Sequence, residues 1–196
     1  MMAHPSPLYR WGGFICLALF AACIPLANWL VGHVGVTCVP QGPCLVPVWP
    51  GLDAPSGVLV IGIALVLRDL VQRALGLGWA FAAILGGAVL SGLIAPPALG
   101  LASVAAFTFS ETADLLVFTP LQKKGLVLAV IASSAVGIAV DSMLFLGLAF
   151  GSLEFLPGQI VGKAWGLLIA LPAVWYFRTR SAGGPRGRAG HQAALK

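Results

Sequence analysis

Six ionisable side chains, Arg68, Asp69, Glu111, Asp114, Asp141 and Lys163, lie inside stretches that are otherwise apolar. A charge at the centre of a bilayer costs a few kcal/mol unless it is paired or hydrated, so such residues mark pathways, relays or ligand sites by default. Glu111 and Asp114 stand three apart in AFTFSETADLLVF. That spacing puts both carboxylates on one helix face, where they repel when ionised. A cation, a bound proton or a donor-rich ligand relieves the repulsion. Arg68, in LVLRDLVQRALG, lies at a similar depth and can hold one of them, leaving the other free. Asp69 precedes Arg73 by four positions, so a helix-end ion pair competes with any functional role for it. Arg68 points about 100° away from Asp69 around the helix.

Asp141 and Lys163 fall on consecutive apolar runs, both roughly 10–15 Å from the same end by helical rise. A mutual pair and a direct ligand role are both open to them. Gln159 is one turn before Lys163 on the same face. The six residues sum to −2, from two cations and four carboxylates. A purely structural set would balance. The excess suits a site that binds hydrogen-bond donors or carries protons. Phe107 and Phe145 stand one turn from Glu111 and Asp141, where an aromatic face could meet a flat heterocycle.

The elements that position these residues are membrane spans. Of 196 residues, 59% are hydrophobic and 9% charged, against roughly 25% charged in a soluble domain. A crossing helix needs about 20 apolar residues. Six spans are expected, over residues 11–31, 55–75, 79–95, 99–118, 126–150 and 156–177, preceded by a short N-terminus at 1–10. A polar, proline-rich loop is expected between the first two spans. Pro96-Pro97 breaks the third span from the fourth, and Pro120 ends the fourth. Residues 178–196, rich in Gly, Arg and Ala, read as a basic disordered tail. No cleavable signal peptide is expected.

Arg10, Arg73, Lys123, Lys124, Arg178 and Arg180 all flank spans. Six crossings put them all on one side and leave Asp53 and Glu154 on the other. By the positive-inside rule both termini are then cytoplasmic. The net charge of +5 is a topology signal and does not imply a nucleic-acid partner. Gly158, Gly162 and Gly166, and likewise Ala83, Gly87 and Ser91, form small-residue stripes for close helix packing.

Cys16 and Cys23 read as packing residues within the first span. Cys38 and Cys44, in TCVPQGPC, form a disulfide or remain free thiols; spacing does not decide. No metal site or cofactor is expected, since His33 alone does not complete a zinc set. GQIVGKA falls one residue short of a phosphate loop and has Ala164 where Ser or Thr is required. No hydrolase signature occurs either, so the chain reads as a non-enzyme.

The stretches APSGVLVIGIALVLRDLVQRALG, AFTFSETADLLVFTPLQ and VDSMLFLGLAFGSLEFLPGQIVGK resemble the VUT family of vitamin-uptake or queuosine-precursor transporters. The likeness runs from about Asp53 to Phe177. It implies an all-α, six-helix importer of deazaguanine precursors in the bacterial inner membrane. The bundle would be similar to the substrate-binding components of energy-coupling-factor transporters. The resemblance carries a substrate-binding or proton-coupling role onto Arg68, Asp69, Glu111, Asp114, Asp141, Gln159 and Lys163. A deazaguanine offers N1–H and an exocyclic amine side by side, and a carboxylate accepts both. Two other readings stand beside this one. One is a binding component that docks on a separate ATP-driven module, with Ala18 and Ala22 as a docking face. The other is a structural membrane protein whose charges are all paired. A homodimer is also open.

Overall fold

The computed structural model describes residues 7–39, 42–95 and 97–182. Six helices and a small sheet follow in chain order: α1 (Pro7–His33), β1 (Thr37–Cys38), β2 (Cys44–Trp49), β3 (Leu52–Pro55), α2 (Val58–Leu75), α3 (Leu77–Ile94), α4 (Pro97–Leu121), α5 (Leu126–Phe150) and α6 (Leu156–Ala182). All but α2 are long and apolar enough to cross a membrane. α2 has 18 residues, the same as α3, but carries Arg68, Asp69 and Arg73.

α2 tolerates its charges because it is the central helix. It packs against α1, α3, α4, α5 and α6, and 12 of its 18 residues are buried. Its polar groups therefore meet protein rather than hydrocarbon. α3 shows the opposite arrangement. Phe81, Leu85, Val89 and Leu93 stand exposed at four-residue spacing, one continuous apolar stripe on the outside of the bundle.

Glycine fixes the seam between α2 and α6. A Cβ at Gly62 would overlap the backbone carbonyl of Lys163, and one at Gly166 would overlap that of Leu59. Gly158 lies equally close to the Asp53 carbonyl, and Gly162 to the Val58 side chain. The stripe on α6 thus packs within the chain, with backbone against backbone.

One end of the bundle gathers the basic flanks. Tyr9 meets Phe177 at 5.3 Å between ring centroids, and Phe14 meets Trp79 at 5.3 Å. Gly13 abuts Ala74 and Leu75. Gln72 Nε2 donates to Thr119 Oγ1 at 2.9 Å. These contacts bring Arg10, Arg73, the turn with Lys123 and Lys124, and Arg178 to the same end. Trp11, Trp79 and Trp175 are exposed there. Trp29, Trp49 and Trp165 are exposed toward the opposite end. Two aromatic girdles of this kind suit the two interfaces of a bilayer.

The opposite end differs from expectation. The segment read as a loop folds into an antiparallel sheet of order β1-β2-β3. Val46 pairs with Ala54 and Leu45 with both Thr37 and Pro55. Proline cannot donate to a ladder, so a strand tolerates it only at an edge or an irregularity. The sheet accommodates Pro47 next to an irregularity between Pro47 and Trp49. The Ser56 hydroxyl ties the sheet to α1 by donating to the Leu30 carbonyl at 2.6 Å, and Trp165 Nε1 donates to the Val48 carbonyl at 3.1 Å.

Most helix ends differ by a few residues from those expected, and α2 begins at Val58 rather than 55 because β3 extends to Pro55. α1 begins at Pro7, before the expected start at 11. Pro120 lies inside α4, which runs one residue further, because proline near a C-terminus disturbs only the turn before it. α6 continues past 177 to Ala182, since nothing from 178 to 182 breaks a helix. The basic tail beyond 182, Pro96 and the residues before Pro7 lie outside the described residues.

Candidate functional site

Arg68 is fully buried and gathers groups from α2 and α4. Its Nε donates to Glu111 Oε2 at 2.9 Å, and its Nη1 to Gln72 Oε1 at 3.0 Å. Its Nη2 bonds Asp114 Oδ1 and lies 3.0 Å from Asp69 Oδ1. The Phe118 ring lies 5.9 Å from the guanidinium carbon, within cation–π range. From α5, Ser133 Oγ donates to Asp69 Oδ2 at 2.9 Å. One cation thus faces three carboxylates in a site closed to water.

This arrangement corrects two expectations. The Asp69–Arg73 pair does not form, and Arg73 Nε has no hydrogen-bond partner among the described residues. Asp69 faces the interior, where Ser133 and Arg68 hold it, while Arg73 lies at the helix end. Nor does Arg68 leave Glu111 or Asp114 free. Its planar fork of five donors reaches both, and also reaches round its own helix to Asp69.

Lys163 forms the second cluster and is also fully buried. Its Nζ donates to Asp141 Oδ2 and Gln159 Oε1, each at 2.5 Å, and to Ser142 Oγ at 2.8 Å. Three donors meet three acceptors, which saturates an ammonium group.

Between the clusters lies a cavity of about 90 Å³. It reaches from Val31, Pro55, Val58 and Leu99 at the sheet end down to Glu111. Phe107 and Phe145 line it, as the spacing suggested, together with Asp141 and Gln159. Arg68, Asp69, Asp114 and Lys163 stand behind this lining.

The cations leave a distinctive set of atoms. Arg68 holds Glu111 Oε2, and Glu111 Oε1 has no partner among the described residues. Lys163 holds Asp141 Oδ2 and Gln159 Oε1. Asp141 Oδ1 and Gln159 Nε2 are likewise without partners there. The cavity therefore offers two carboxylate acceptors and one amide donor, each braced from behind.

Sequence reasoning missed Asn28, Ser91, Ser103 and Ser110, which also line the cavity. Asn28 was the legible one, an amide within an apolar span; serines are too common in membrane helices to stand out. Asn28 Nδ2 donates to the Ile24 carbonyl at 2.9 Å, and Ser110 Oγ to that of Phe107 at 3.1 Å. Cys23, read as packing, reaches the lining as well. Cys38 and Cys44 are joined as a disulfide between β1 and β2, apart from the cavity.

Residues 93–177 match the family model described as "Putative vitamin uptake transporter". The resemblance to this family is thereby borne out over that stretch, which holds Glu111, Asp114, Asp141, Gln159 and Lys163. Arg68 and Asp69 precede it. The family is one of transporters, not a class of enzymes. Five of the described helices are long and apolar enough to cross a bilayer, which agrees with a transporter-family match over residues 93–177. No curated protein and no solved structure matches the chain.

Proposed function

We propose that this chain, matched over residues 93–177 to a vitamin-uptake family, imports a deazaguanine-type precursor of queuosine across a bacterial inner membrane. The observation that carries the reading is the cavity, where Glu111, Asp141 and Gln159 each keep one unpartnered polar atom. Glu111 Oε1 accepts from N1–H and the exocyclic amine, while Gln159 Nε2 donates to the ring carbonyl. Phe107 and Phe145 lie beside the flat ring. A carboxylate fixed by Arg68 is a stronger acceptor than a neutral group and loses little freedom on binding.

In this reading α2 crosses with the other five helices, and both termini are cytoplasmic. Support comes from the basic flanks gathered at one end and the acidic Asp53 and Glu154 outside it. The cavity then reaches toward the external side. Reporter fusions after Lys124 and after Lys196 should read cytoplasm, and one at Gln41 should read outside.

The deciding experiment is uptake of labelled deazaguanine by cells that cannot make the precursor, with this chain as sole importer. Uptake above the empty-vector level supports the reading, and none refutes it. A pterin-like vitamin presents a similar donor edge, which the description of the matched family favours; competition by unlabelled pterin tests it. Uptake only when an ATP-hydrolysing module is co-expressed would make the chain a binding component of a larger transporter.

A further inference from the structure

The charge excess noted in the sequence is concentrated at Arg68. Lys163 and Asp141 cancel, whereas Arg68 alone faces Asp69, Glu111 and Asp114. All four side chains are buried, with exposures of 0–3%. Three ionised carboxylates around one guanidinium leave two uncompensated charges, each costing several kcal/mol in such a site.

The hydrogen bonds locate the fault. Glu111 Oε2 and Asp114 Oδ1 accept from Arg68, and Asp69 Oδ2 accepts from Ser133. Asp69 Oδ1 and Asp114 Oδ2 remain buried without a hydrogen-bond partner. The Asp69 contact to Arg68 Nη2 is an ion contact at 3.0 Å. Asp69 Oδ1 and Asp114 Oδ1 both contact the same nitrogen, Arg68 Nη2, which brings the two carboxylates together. Two ionised carboxylates offer only acceptors, so neither can satisfy the other until one carries a proton. Packing leaves little room for water to substitute. Gly137 on α5 covers Asp114, and a Cβ there would lie 3.1 Å from Asp114 Oδ2.

We propose that Asp69 and Asp114 share one proton, and that its release toward the cytoplasmic end couples to import of the cargo. The second half rests on the transport reading above. Arg68 links the pair to the cavity. Glu111 lines the cavity and stands three residues, or about 4.5 Å along α4, before Asp114. When cargo donors engage Glu111, Arg68 has less carboxylate charge to balance there and favours a fully ionised aspartate pair. The O–H bond between the aspartates breaks, and the proton passes to water at the basic end. A proton from the external side restores the pair on return. The charged groups at the pair are Arg68 on α2 and, through Arg68, Glu111 on α4, while Arg73, one turn along α2, makes no ion pair with Asp69. Among the described residues α1 and α3 bring no charged side chain to it.

Infrared spectroscopy of the purified full-length chain reads the proton directly. At neutral pH the wild type should show a deuterium-sensitive C=O band of a protonated carboxylic acid. The band should vanish in Asp69→Asn and Asp114→Asn and persist in the charge-balanced double variant Asp141→Asn, Lys163→Met, which alters the other buried cluster. A wild type without the band, or loss of the band in the Asp141→Asn, Lys163→Met double variant, overturns the shared proton. These two proteins decide the matter even if the Asp69 and Asp114 variants fail to accumulate. Coupling is read in proteoliposomes with the membrane potential clamped. A one-unit gradient, acid outside, should accumulate labelled deazaguanine about tenfold at one proton per cargo. Uptake indifferent to the gradient overturns the coupling and leaves import standing. Absence of uptake under every gradient overturns the transport reading, while the infrared band still decides the proton.

Discussion

Glu111→Gln is the substitution for which the structure predicts the most specific outcome. Arg68 Nε donates to Glu111 Oε2 at 2.9 Å. A glutamine must turn its carbonyl oxygen toward that donor, because the alternative sets N–H against N–H in a buried site. The amide nitrogen then occupies the position of Oε1 and faces the cavity. Cargo that presents two N–H groups meets a donor where it needs an acceptor. A charge-assisted hydrogen bond is worth about 1.5–3 kcal/mol net, and an unsatisfied buried donor costs about 1–3 kcal/mol more. Together they place the loss at about 2.5–6 kcal/mol, or roughly two to four orders of magnitude in Kd. The fold should survive, because Asp69 and Asp114 still balance Arg68 and an amide is cheaper to bury than a charge. Asp114→Asn should weaken binding less, since Asp114 does not reach the cavity. The assay is equilibrium binding of labelled deazaguanine to purified wild type and both variants, with membrane yield measured alongside. Equal losses in the two variants, or normal binding by Glu111→Gln, would refute the assignment of Glu111 as the acceptor.

Gly166→Ala drives a methyl group into the Leu59 carbonyl, and overpacking of this kind should cost about 1–3 kcal/mol. Thermal unfolding in detergent should show a lower midpoint, whereas Gly86→Ala, with open space around it, should not destabilise. Lys163→Met strands buried Asp141, so membrane yield should collapse by an amount corresponding to about 3–5 kcal/mol. Adding Asp141→Asn should recover part of that yield. Cys38→Ser opens a bridge spanning six residues, worth about 2 kcal/mol of loop order in the chain-entropy account. Deazaguanine uptake should stay near wild type, because the cavity lining lies elsewhere, and a large loss would tie the sheet to transport.

The membrane character of the chain was legible because hydrophobicity and the placement of charge are properties of the sequence itself. Apolar runs set the approximate helix ends, and the spacing of Arg10, Arg73, Lys123, Lys124 and Arg178 anticipated the end that gathers them. Helical periodicity likewise put Phe107 beside Glu111 and Phe145 beside Asp141. The β2–β3 hairpin was hidden, since its prolines argue against strands until a bulge and partner strands provide for them. The partners of the buried charges depended wholly on tertiary structure. Spacing fixes depth and angle along one helix, but it does not say which helix stands opposite. Nor does it say that a guanidinium on a flexible stem reaches Glu111, Asp114 and its neighbour Asp69 together. Glu111 and Asp114 are equivalent in sequence, two carboxylates on one face. Only the packing of α4 against α2 and α5 opens one to the cavity and buries the other beneath Gly137, because enclosure is set by neighbouring helices and not by local spacing.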